Sequence, residues 1–357
     1  MDPYDPIVSV AAGSRRTIPP QPRPHPPYTR RAMPRSSFLV TGAAGFIGAH
    51  VAARLAASGA AVVGCDNFNA YYSPALKHAR VRELLQPLGV GCDEVELADE
   101  AAVRALFDRV RPTIVIHLAA QAGVRHSLTH PQAYIQSNLV GFANVLEGCR
   151  RGGVTHLVYA SSSSVYGDRT DPPFRESQPT DEPVSLYAAT KKANELMAHA
   201  YARLYGLRAT GLRFFTVYGP WGRPDMAYFS FAEKLLAGQP LPVFGHGRLT
   251  RDFTYIDDIV EGVARLTEAA PQRDSLHEVF NIGSHTPVTV LSFIETLARH
   301  LGVTPQLELL PMQPGDVAFT CADVNKLRER IGFEPNTPLD EGLRRLVQWF
   351  RQWRSGV

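Results

Sequence analysis

Residues 38–67, FLVTGAAGFIGAHVAARLAASGAAVVGCDN, contain the pattern that decides the fold of this chain. A short apolar run ends at Thr41-Gly42, as a buried strand does when it enters a tight turn. Apolar residues then recur at helical spacing until Gly59, and a second apolar run ends at Asp66. The order of strand, turn, helix and strand predicts the first unit of an α/β fold.

Three glycines, Gly42, Gly45 and Gly48, follow the first strand at three-residue spacing. Glycine lets the backbone turn sharply and approach a pyrophosphate, whose charge then lies at the N-terminus of the helix. Asp66 ends the second strand, where a carboxylate accepts hydrogen bonds from a ribose diol and repels a 2′-phosphate. The stretch therefore predicts an NAD site, and the alternative is a glycine-rich turn that binds no ligand.

The composition of the 357 residues, 45% of them apolar, is ample for a core. The net charge of +3 is unevenly placed, because residues 1–36 carry six of the 37 basic and two of the 34 acidic residues. The remaining chain is close to neutral, which argues against nucleic-acid binding. No run reaches the ~20 apolar residues of a membrane span. The four cysteines lack CxxC spacing, so we expect buried thiols and a cytoplasmic location.

The chain divides into three parts by composition and pattern. Residues 1–36 hold nine of the 28 prolines, so we predict a disordered Pro/Arg-rich extension. Over residues 37–215 six apolar runs alternate with helical patterns, which predicts a doubly wound parallel sheet, a Rossmann domain. Beyond residue 215 the alternation fades, and residues 216–357 are expected to form mainly a smaller mixed α/β lobe for the substrate.

Tyr187 and Lys191 stand at i and i+4 of a predicted helix and therefore share one face. A tyrosine hydroxyl with a pKa of about 10 is a poor base at neutral pH. A neighbouring ammonium and a nicotinium ring would favour its phenolate. Four serines at residues 161–164 precede this helix, and one of their hydroxyls is a candidate to share a substrate proton with Tyr187. The alternatives are an exposed Tyr–Lys pair and serines that only satisfy backbone groups at the end of a strand.

Six motifs support a resemblance to one family: TGAAGFIG, Asp66-Asn67, HLAAQAGVR, SSSSVYG, Tyr187-x-x-x-Lys191 and RDFTYIDDIV. From residue 37 to about 350 the chain resembles the extended short-chain dehydrogenase/reductases, most closely the NAD-dependent nucleotide-sugar epimerases that act on UDP-glucuronate. The resemblance implies an isomerase that converts UDP-glucuronate to UDP-galacturonate at C4. The path it implies is a 4-keto intermediate with transient hydride transfer to bound NAD. We also expect a homodimer.

The resemblance implies a role for each matching residue. Tyr187 is expected to take the proton of the sugar 4-hydroxyl, with Ser162 as hydroxyl partner and Lys191 at the nicotinamide ribose. The implied cofactor-binding residues are Gly42, Gly45, Phe46, Ile47, Gly48, Asp66, Asn67, Glu96, Leu97, Leu118, Ala119, Ala120, Gln121, Asn138, Tyr187, Lys191 and Phe215. The implied substrate-binding residues are Ser162, Ser164, Arg125, Thr216, Arg223, Arg251 and Asp316.

Arg223, in the segment YGPWGRPDMAYF, is the candidate partner of the substrate carboxylate. Pro220, Gly222 and Pro224 restrict the loop, which follows Thr216 into the expected sugar site. A 4-keto glucuronate is a β-keto acid that loses CO2 as charge leaves its carboxylate, and a bidentate guanidinium favours the retained charge. The alternative is an exposed arginine that only shapes its loop.

Three positions discriminate among related reactions. By resemblance, dehydratases carry acidic residues at the positions of Ser163 and Ser164, and UDP-glucuronate decarboxylases typically have Glu at that of Ser164. Gln313 occupies a position where UDP-galactose epimerases often have Arg. These residues favour epimerisation of the acid sugar. The alternatives are a UDP-glucuronate decarboxylase, a UDP-glucose/galactose 4-epimerase and a non-catalytic NAD-sensing regulator.

A metal site is not expected. His126 and His130 have the i, i+4 spacing of a metal-binding pair. However, Pro131 disfavours a continuous helix through them, and no acidic motif accompanies them.

Overall fold

The computed structural model describes residues 37–272, 274–312 and 317–355. The strands are β1 (Ser37–Thr41), β2 (Ala61–Asp66), β3 (Gly91–Glu94), β4 (Ile114–His117), β5 (His156–Ser162), β6 (Ala209–Phe214), β7 (Thr216–Tyr218), β8 (Leu241–Val243), β9 (Thr250–Arg251), β10 (Phe253–Tyr255), β11 (His277–Ile282), β12 (Val288–Thr289) and β13 (Leu307–Leu309). The α-helices are α1 (Phe46–Ala57), α2 (Pro74–Arg80), α3 (Glu100–Val110), α4 (His126–Thr129), α5 (Pro131–Tyr134), α6 (Gly141–Gly152), α7 (Leu186–Tyr205), α8 (Ala227–Leu236), α9 (Ile256–Glu268), α10 (Val290–Leu301), α11 (Asn325–Ile331) and α12 (Leu339–Arg354). Short π-helical segments, Val81–Leu85 and Ile135–Val140, follow α2 and join α5 to α6.

Seven strands form one parallel sheet in the order β11-β6-β5-β4-β1-β2-β3. The strand order reverses beside β1, where β2 and β4 lie on opposite sides of it. In sheets of this kind a crevice opens at that point, outside the carboxyl ends of the strands. The predicted doubly wound Rossmann-like fold is therefore confirmed.

The sheet has one strand more than the sequence pattern predicts. The seventh strand, β11, comes from the part of the chain assigned to the substrate lobe, and pairs with β6 along its whole length. Its sequence HEVFNI carries polar residues that hide a strand pattern, and Asn281 among them is fully buried. The Asn281 side chain is satisfied by the Tyr166 hydroxyl (2.7 Å) and the Phe174 carbonyl (2.7 Å), so burial of this polar group is tolerated.

The core lies on both faces of the sheet, because successive side chains of a strand point to opposite sides. On one face Val40, Ile116, Val158 and Leu212 pack with apolar residues of α1 and α9. On the other face Leu39, Val115, Leu157 and Tyr159 pack with apolar residues of α3 and α6. Burial on both faces explains why these strands read as nearly continuous apolar runs.

The chain after β6 is mixed α/β apart from its contribution of β11. It contains the strand pairs β7–β10 and β8–β13, both parallel, and the antiparallel pair β9–β12. The division of the chain at residues 215 and 216 stays a prediction, and the predicted extension, residues 1–36, lies outside the described residues.

Two further features bear on the sequence-based expectations. None of the helices in the described ranges combines the length and apolar character needed to cross a bilayer. The four cysteines are free: Cys65, Cys149 and Cys321 are buried, and Cys92 is half-buried.

Candidate active site

A cavity of about 790 Å³ lies along the carboxyl ends of the sheet strands and extends to the residues after β6. This volume is in the range of small-molecule and cofactor sites. It brings together most of the residues predicted for the site. Those that line it are Gly42, Gly45, Phe46, Ile47, Gly48, Asp66, Asn67, Glu96, Leu97, Leu118, Ala119, Ala120, Gln121, Arg125, Ser162, Ser164, Tyr187, Lys191, Phe215, Thr216, Arg223 and Arg251.

The glycine-rich turn between β1 and α1 is too tight for side chains. Gly42 has φ +70°, and a Cβ there would lie 2.6 Å from the Ala119 nitrogen. A Cβ on Gly48 would lie 2.0 Å from the Gly42 carbonyl oxygen. Helix α1 begins after Gly45, and its first residues, Phe46 and Ile47, are uncharged. These residues line the cavity, and no acidic side chain of the first turn competes for their amides, which fits a pyrophosphate.

Asp66 ends β2 beside that turn and is buried. Its Oδ1 accepts a hydrogen bond from the Phe68 amide (2.9 Å) and lies 3.8 Å from Lys77 Nζ. Asn67 donates from Nδ2 to Glu96 Oε2 (2.8 Å), so both residues are fixed at the cavity edge. The carboxylate keeps acceptor positions for a ribose diol, whereas the sequence pattern gave no sign of the Lys77 contact.

Gln121 lines the cavity and is 5% exposed. Asn138 accepts from its backbone amide (2.8 Å) and donates to its carbonyl (3.0 Å). Asn138 is itself buried behind this wall, so it is placed to hold Gln121 rather than to touch a cofactor. Within the described chain, Gln121 Nε2 completes no well-aligned hydrogen bond, although the Gln121 side chain lies close enough to the Tyr134 hydroxyl to oppose the rise in the pKa of Tyr134 that burial causes. A buried amide donor is costly to leave unpaired, and the orphan therefore supports a polar ligand at this wall.

Lys191 and Tyr187 lie on α7, which Ser185 caps by accepting from the Ala188 amide (3.1 Å). Lys191 is 2% exposed, and its Nζ donates to the Ala160 carbonyl (2.8 Å) at β5. Burial lowers the pKa of Lys191 to about 8. The ammonium is thus fixed at the end of β5.

Tyr187 differs electrostatically from the sequence-based expectation. Burial raises the pKa of its hydroxyl, and this rise is opposed by the hydroxyl of Ser162 and by the positive charge of Arg223. The expectation that Lys191 lowers this pKa does not describe the protein without a cofactor, because desolvation dominates there. The opposing groups identify Ser162 and Arg223 as the polar neighbours that favour the phenolate.

The four serines at the end of β5 have different roles. Ser162 Oγ accepts from the Ser164 amide (3.1 Å) and the Ser164 hydroxyl (2.9 Å), so both side chains lie at the cavity. Ser161 instead donates to Glu195 (2.6 Å), which forms a buried two-bond ion pair with Arg213. The pair anchors the strand end behind the serines. Sequence reasoning missed it, although charged residues inside an apolar strand and on a helix face were its signal.

Arg223 lines the cavity with a guanidinium that is already paired. Its Nε donates to Asp225 Oδ1 (3.0 Å), and Nη2 donates to Oδ2. Tyr71 also donates to Asp225 Oδ2 (3.0 Å). Although burial acts to raise it, the pKa of the Asp225 carboxyl is lowered overall by Arg223. Asp225 and Tyr71 line the cavity as well, and sequence reasoning missed both.

Three of the remaining substrate-side residues, Arg125, Thr216 and Arg251, also line the cavity. Arg125 stacks its guanidinium on the Phe244 ring (5.6 Å). Arg251 donates from Nη1 to the Thr250 carbonyl (3.0 Å), and the Thr216 amide donates to the Asp252 carbonyl (3.1 Å). Asp316 and Gln313 lie outside the described residues.

The two histidines with metal-like spacing stack on each other, with ring centroids 4.1 Å apart. The His126 ring also contacts the Tyr71 ring at 4.6 Å. Across the described ranges no group of three or more His, Cys, Asp or Glu side chains is arranged to hold a metal ion. The pair is an aromatic contact beside the cavity.

Comparison with known proteins extends this geometry. The chain is 47% identical over 334 residues to UDP-glucuronate 4-epimerase 4 of Arabidopsis thaliana, covering 90% of this chain and 76% of that protein. The UDP-glucuronic acid 4-epimerase of Bacillus cereus, solved with UDP-glucuronic acid and NAD, is similar with a TM-score of 0.82 and 32% identity, covering 89% of this chain and 99% of that one. The UDP-glucose 4-epimerase of Thermotoga maritima, solved with UDP-glucose, has a TM-score of 0.80 and 32% identity at the same coverage.

The fold, the cavity and these likenesses agree with a match over most of the chain. Residues 38–283 match the NAD dependent epimerase/dehydratase family. The chain belongs to that family.

Proposed function

We propose that this protein is an NAD-dependent nucleotide-sugar 4-epimerase that interconverts UDP-glucuronate and UDP-galacturonate. The observation that carries the choice of sugar is Arg223, a cation in the same cavity as Tyr187 and Ser162 and close enough to affect the Tyr187 pKa. The relatives named for UDP-glucuronate support the same substrate.

The residues of the cavity fit the cofactor. The glycine-rich turn would hold the pyrophosphate, Asp66 the adenosine ribose, and Lys191 the nicotinamide ribose. The side-chain amide of Gln121 would be a further hydrogen-bond donor to the cofactor. When bound, NAD supplies the acceptor and donor of the hydride at C4.

Tyr187 is the proposed acid–base group at the sugar 4-hydroxyl. It takes the O4 proton as the C4–H bond breaks and returns it when that bond re-forms on the other face of the sugar. Ser162 shares this proton through its hydroxyl. Lys191 provides a buried ammonium on the same helix, and Arg223 favours the phenolate form of Tyr187.

Arg223 is the proposed partner of the C6 carboxylate. A planar guanidinium presents five N–H donors, of which two are used by Asp225. The others can bind the sugar acid while it is oxidised at C4. Because decarboxylation moves charge out of the carboxylate, a cation held against that group slows loss of CO2. The hydroxyls of Ser163 and Ser164 provide no acid for elimination, so dehydration is not proposed.

A homodimer is proposed from the exposed face of α7. Leu196 and Leu204, eight residues apart on this helix, are 59% and 71% exposed. Large apolar side chains clustered on one exposed helix favour burial against a partner, and a second copy provides the same surface. Leu204→Glu should therefore shift the mass in light scattering from dimer to monomer. A dimeric variant would contradict the use of this face. The cytoplasmic location stays a prediction.

The function is tested by incubating the purified protein with UDP-glucuronate and identifying the product by NMR. UDP-galacturonate is expected. A UDP-pentose would indicate a decarboxylase, and conversion of UDP-glucose but not UDP-glucuronate would indicate a neutral-sugar epimerase. Binding of NAD without turnover of any of these sugars would favour the remaining alternative, a non-catalytic NAD-sensing regulator.

A further inference from the structure

Arg80, the last residue of α2, is a fully buried cation. Its guanidinium makes four hydrogen bonds. Nε donates to the Trp221 carbonyl (2.8 Å), Nη2 to the Gly222 carbonyl (2.9 Å), and Nη1 to the Ala44 carbonyl (3.0 Å) and the Tyr72 hydroxyl (2.7 Å). The guanidinium also lies over the Tyr72 ring at 5.3 Å. Three backbone carbonyls and a phenol thus surround a charge that contributes to none of the steps proposed above.

The four acceptors come from three separate segments of the chain. Ala44 belongs to the glycine-rich turn, and Tyr72 precedes α2. Trp221 and Gly222 come immediately before Arg223. The planar guanidinium of Arg80 therefore connects two parts of the site: the turn expected to hold the pyrophosphate and the loop that carries the proposed carboxylate partner.

The loop needs such support because its backbone is strained. Trp221 has φ +61°, a left-handed conformation that side-chain-bearing residues rarely adopt. Arg80 donates to the carbonyls of this residue and the next, which fixes the peptide planes on either side of Gly222. Gly222 has no room for a side chain, since a Cβ there would lie 2.3 Å from the Tyr228 hydroxyl. The hydrogen bonds from Arg80 therefore fix the backbone conformation that leads into Arg223.

We propose that Arg80 is a positioning residue for recognition of the sugar acid, holding the backbone at residues 221–222 against the glycine-rich turn so that Arg223 meets the substrate carboxylate. The inference rests on the proposed role of Arg223. It attributes the effect to the shape of the guanidinium, because a lysine ammonium is a single point of charge that cannot span acceptors on three segments. Charge alone would be preserved in Arg80→Lys.

The test compares the affinities of UDP-glucuronate and UDP-glucose for the NAD-loaded protein by calorimetry. The variants are Arg80→Met, Arg80→Lys and the matched control Arg82→Gln. Arg82 lies two residues further along, its side chain is 63% exposed, and it pairs with Glu83. We expect Arg80→Met and Arg80→Lys to lower the preference for the acid sugar at least fivefold. Arg82→Gln should leave it unchanged.

Two results would overturn the proposal. Equal weakening of the binding of both sugars in Arg80→Met would mean that Arg80 has a purely structural role. An unchanged preference for UDP-glucuronate in Arg80→Lys would mean that Arg80 acts through its charge. If Arg80→Met does not fold, Tyr72→Phe decides, because it removes one acceptor of the Arg80 guanidinium. A twofold or larger drop in preference is then expected, and an unchanged preference would refute the proposal. Failure of the proposed function is distinguishable, since the wild type would then show no preference for UDP-glucuronate and no turnover of it.

Discussion

The guanidinium of Arg223 and the carboxylate of Asp225 form a two-bond ion pair in the wall of the cavity, with Nε 3.0 Å from Oδ1. The Tyr71 hydroxyl holds the second oxygen of this carboxylate. A substrate carboxylate that binds Arg223 therefore meets a guanidinium that already has a counter-charge. Asp225 orients the cation, and it would repel an anionic sugar if the cation were absent.

Arg223→Ala should discriminate between charged and neutral sugars. The variant removes a hydrogen-bonding cation worth ~1.5–3 kcal/mol to the carboxylate and exposes the sugar to Asp225. We expect kcat/KM for UDP-glucuronate to fall by roughly 10- to 150-fold or more, with a UDP-pentose by-product. UDP-glucose should lose much less, because it loses only the effect of Arg223 on the Tyr187 pKa. The double variant Arg223→Ala/Asp225→Ala should recover part of the loss, because the two residues are coupled.

A matched control exists on the surface. Arg169 and Asp171 form a pair with the same two-residue spacing, at 2.9 and 2.7 Å, outside the set of residues that line the cavity. Arg169→Ala should leave both sugars unaffected. Equal losses on charged and neutral sugars in Arg223→Ala would mean that Arg223 acts only on Tyr187 or on its own loop and does not bind the carboxylate.

Tyr187→Phe should fold and bind NAD but turn over ~10²-fold more slowly or worse, since the acid–base group at O4 is missing. Stopped assays with product analysis measure this directly. Tyr201→Phe is the control on the same helix, because the Tyr201 hydroxyl donates to Glu147 instead. Near-normal turnover in Tyr187→Phe would remove this hydroxyl from the mechanism.

The buried ammonium of Lys191 predicts a pH dependence of stability. Burial lowers its pKa to about 8, whereas an unfolded lysine keeps its proton to about pH 10.4. Between these values the unfolded chain binds more protons, so the wild type becomes more stable as pH rises. The destabilisation caused by burying the ammonium amounts to about 3 kcal/mol; it is present in full below pH 8 and absent above about pH 10.4.

Denaturant unfolding without added cofactor, at pH 7 and pH 10, measures this effect against Lys191→Met. The wild type should gain stability relative to the variant at the higher pH. Parallel pH dependence in the two proteins would show that Lys191 is solvated in the folded state.

Gly48→Ala should destroy the glycine-rich turn. The added Cβ would lie 2.0 Å from the Gly42 carbonyl, and overpacking of this kind costs about 1–3 kcal/mol or more. We expect a lower melting temperature and loss of bound NAD. Gly91→Ala is the control, because its Cβ would meet no atom of the described structure within 4 Å. Retention of NAD in Gly48→Ala would contradict the assignment of the turn.

Local patterns in the sequence were sufficient to predict most of the sheet and one wall of the cavity. Apolar runs predicted five of its seven strands, and α7 ends at Tyr205, where Gly206 stops it as predicted. The third strand, β3, lies at Gly91–Glu94 and carries no apolar run. Such features depend on residues close in the chain, so their signal survives in one sequence.

The contacts that orient the functional groups could not be predicted in this way. Predicting the contacts of Asp225 required the position of Tyr71, which is 154 residues away. Arg80 donates to the Gly222 carbonyl, which is 142 residues away. Strand β11 was hidden because its buried Asn281 is satisfied only by distant partners. Long-range polar contacts leave no periodicity to read, and they decide pKa values and side-chain orientation.

The most direct test of C4 epimerisation is to run the reaction of UDP-glucuronate in D2O and examine the sugar protons by NMR. If hydrogen removed from C4 returns to the same sugar, the product is UDP-galacturonate with the C4 proton at full intensity. Deuterium at C4, or a UDP-pentose as the main product, would contradict it.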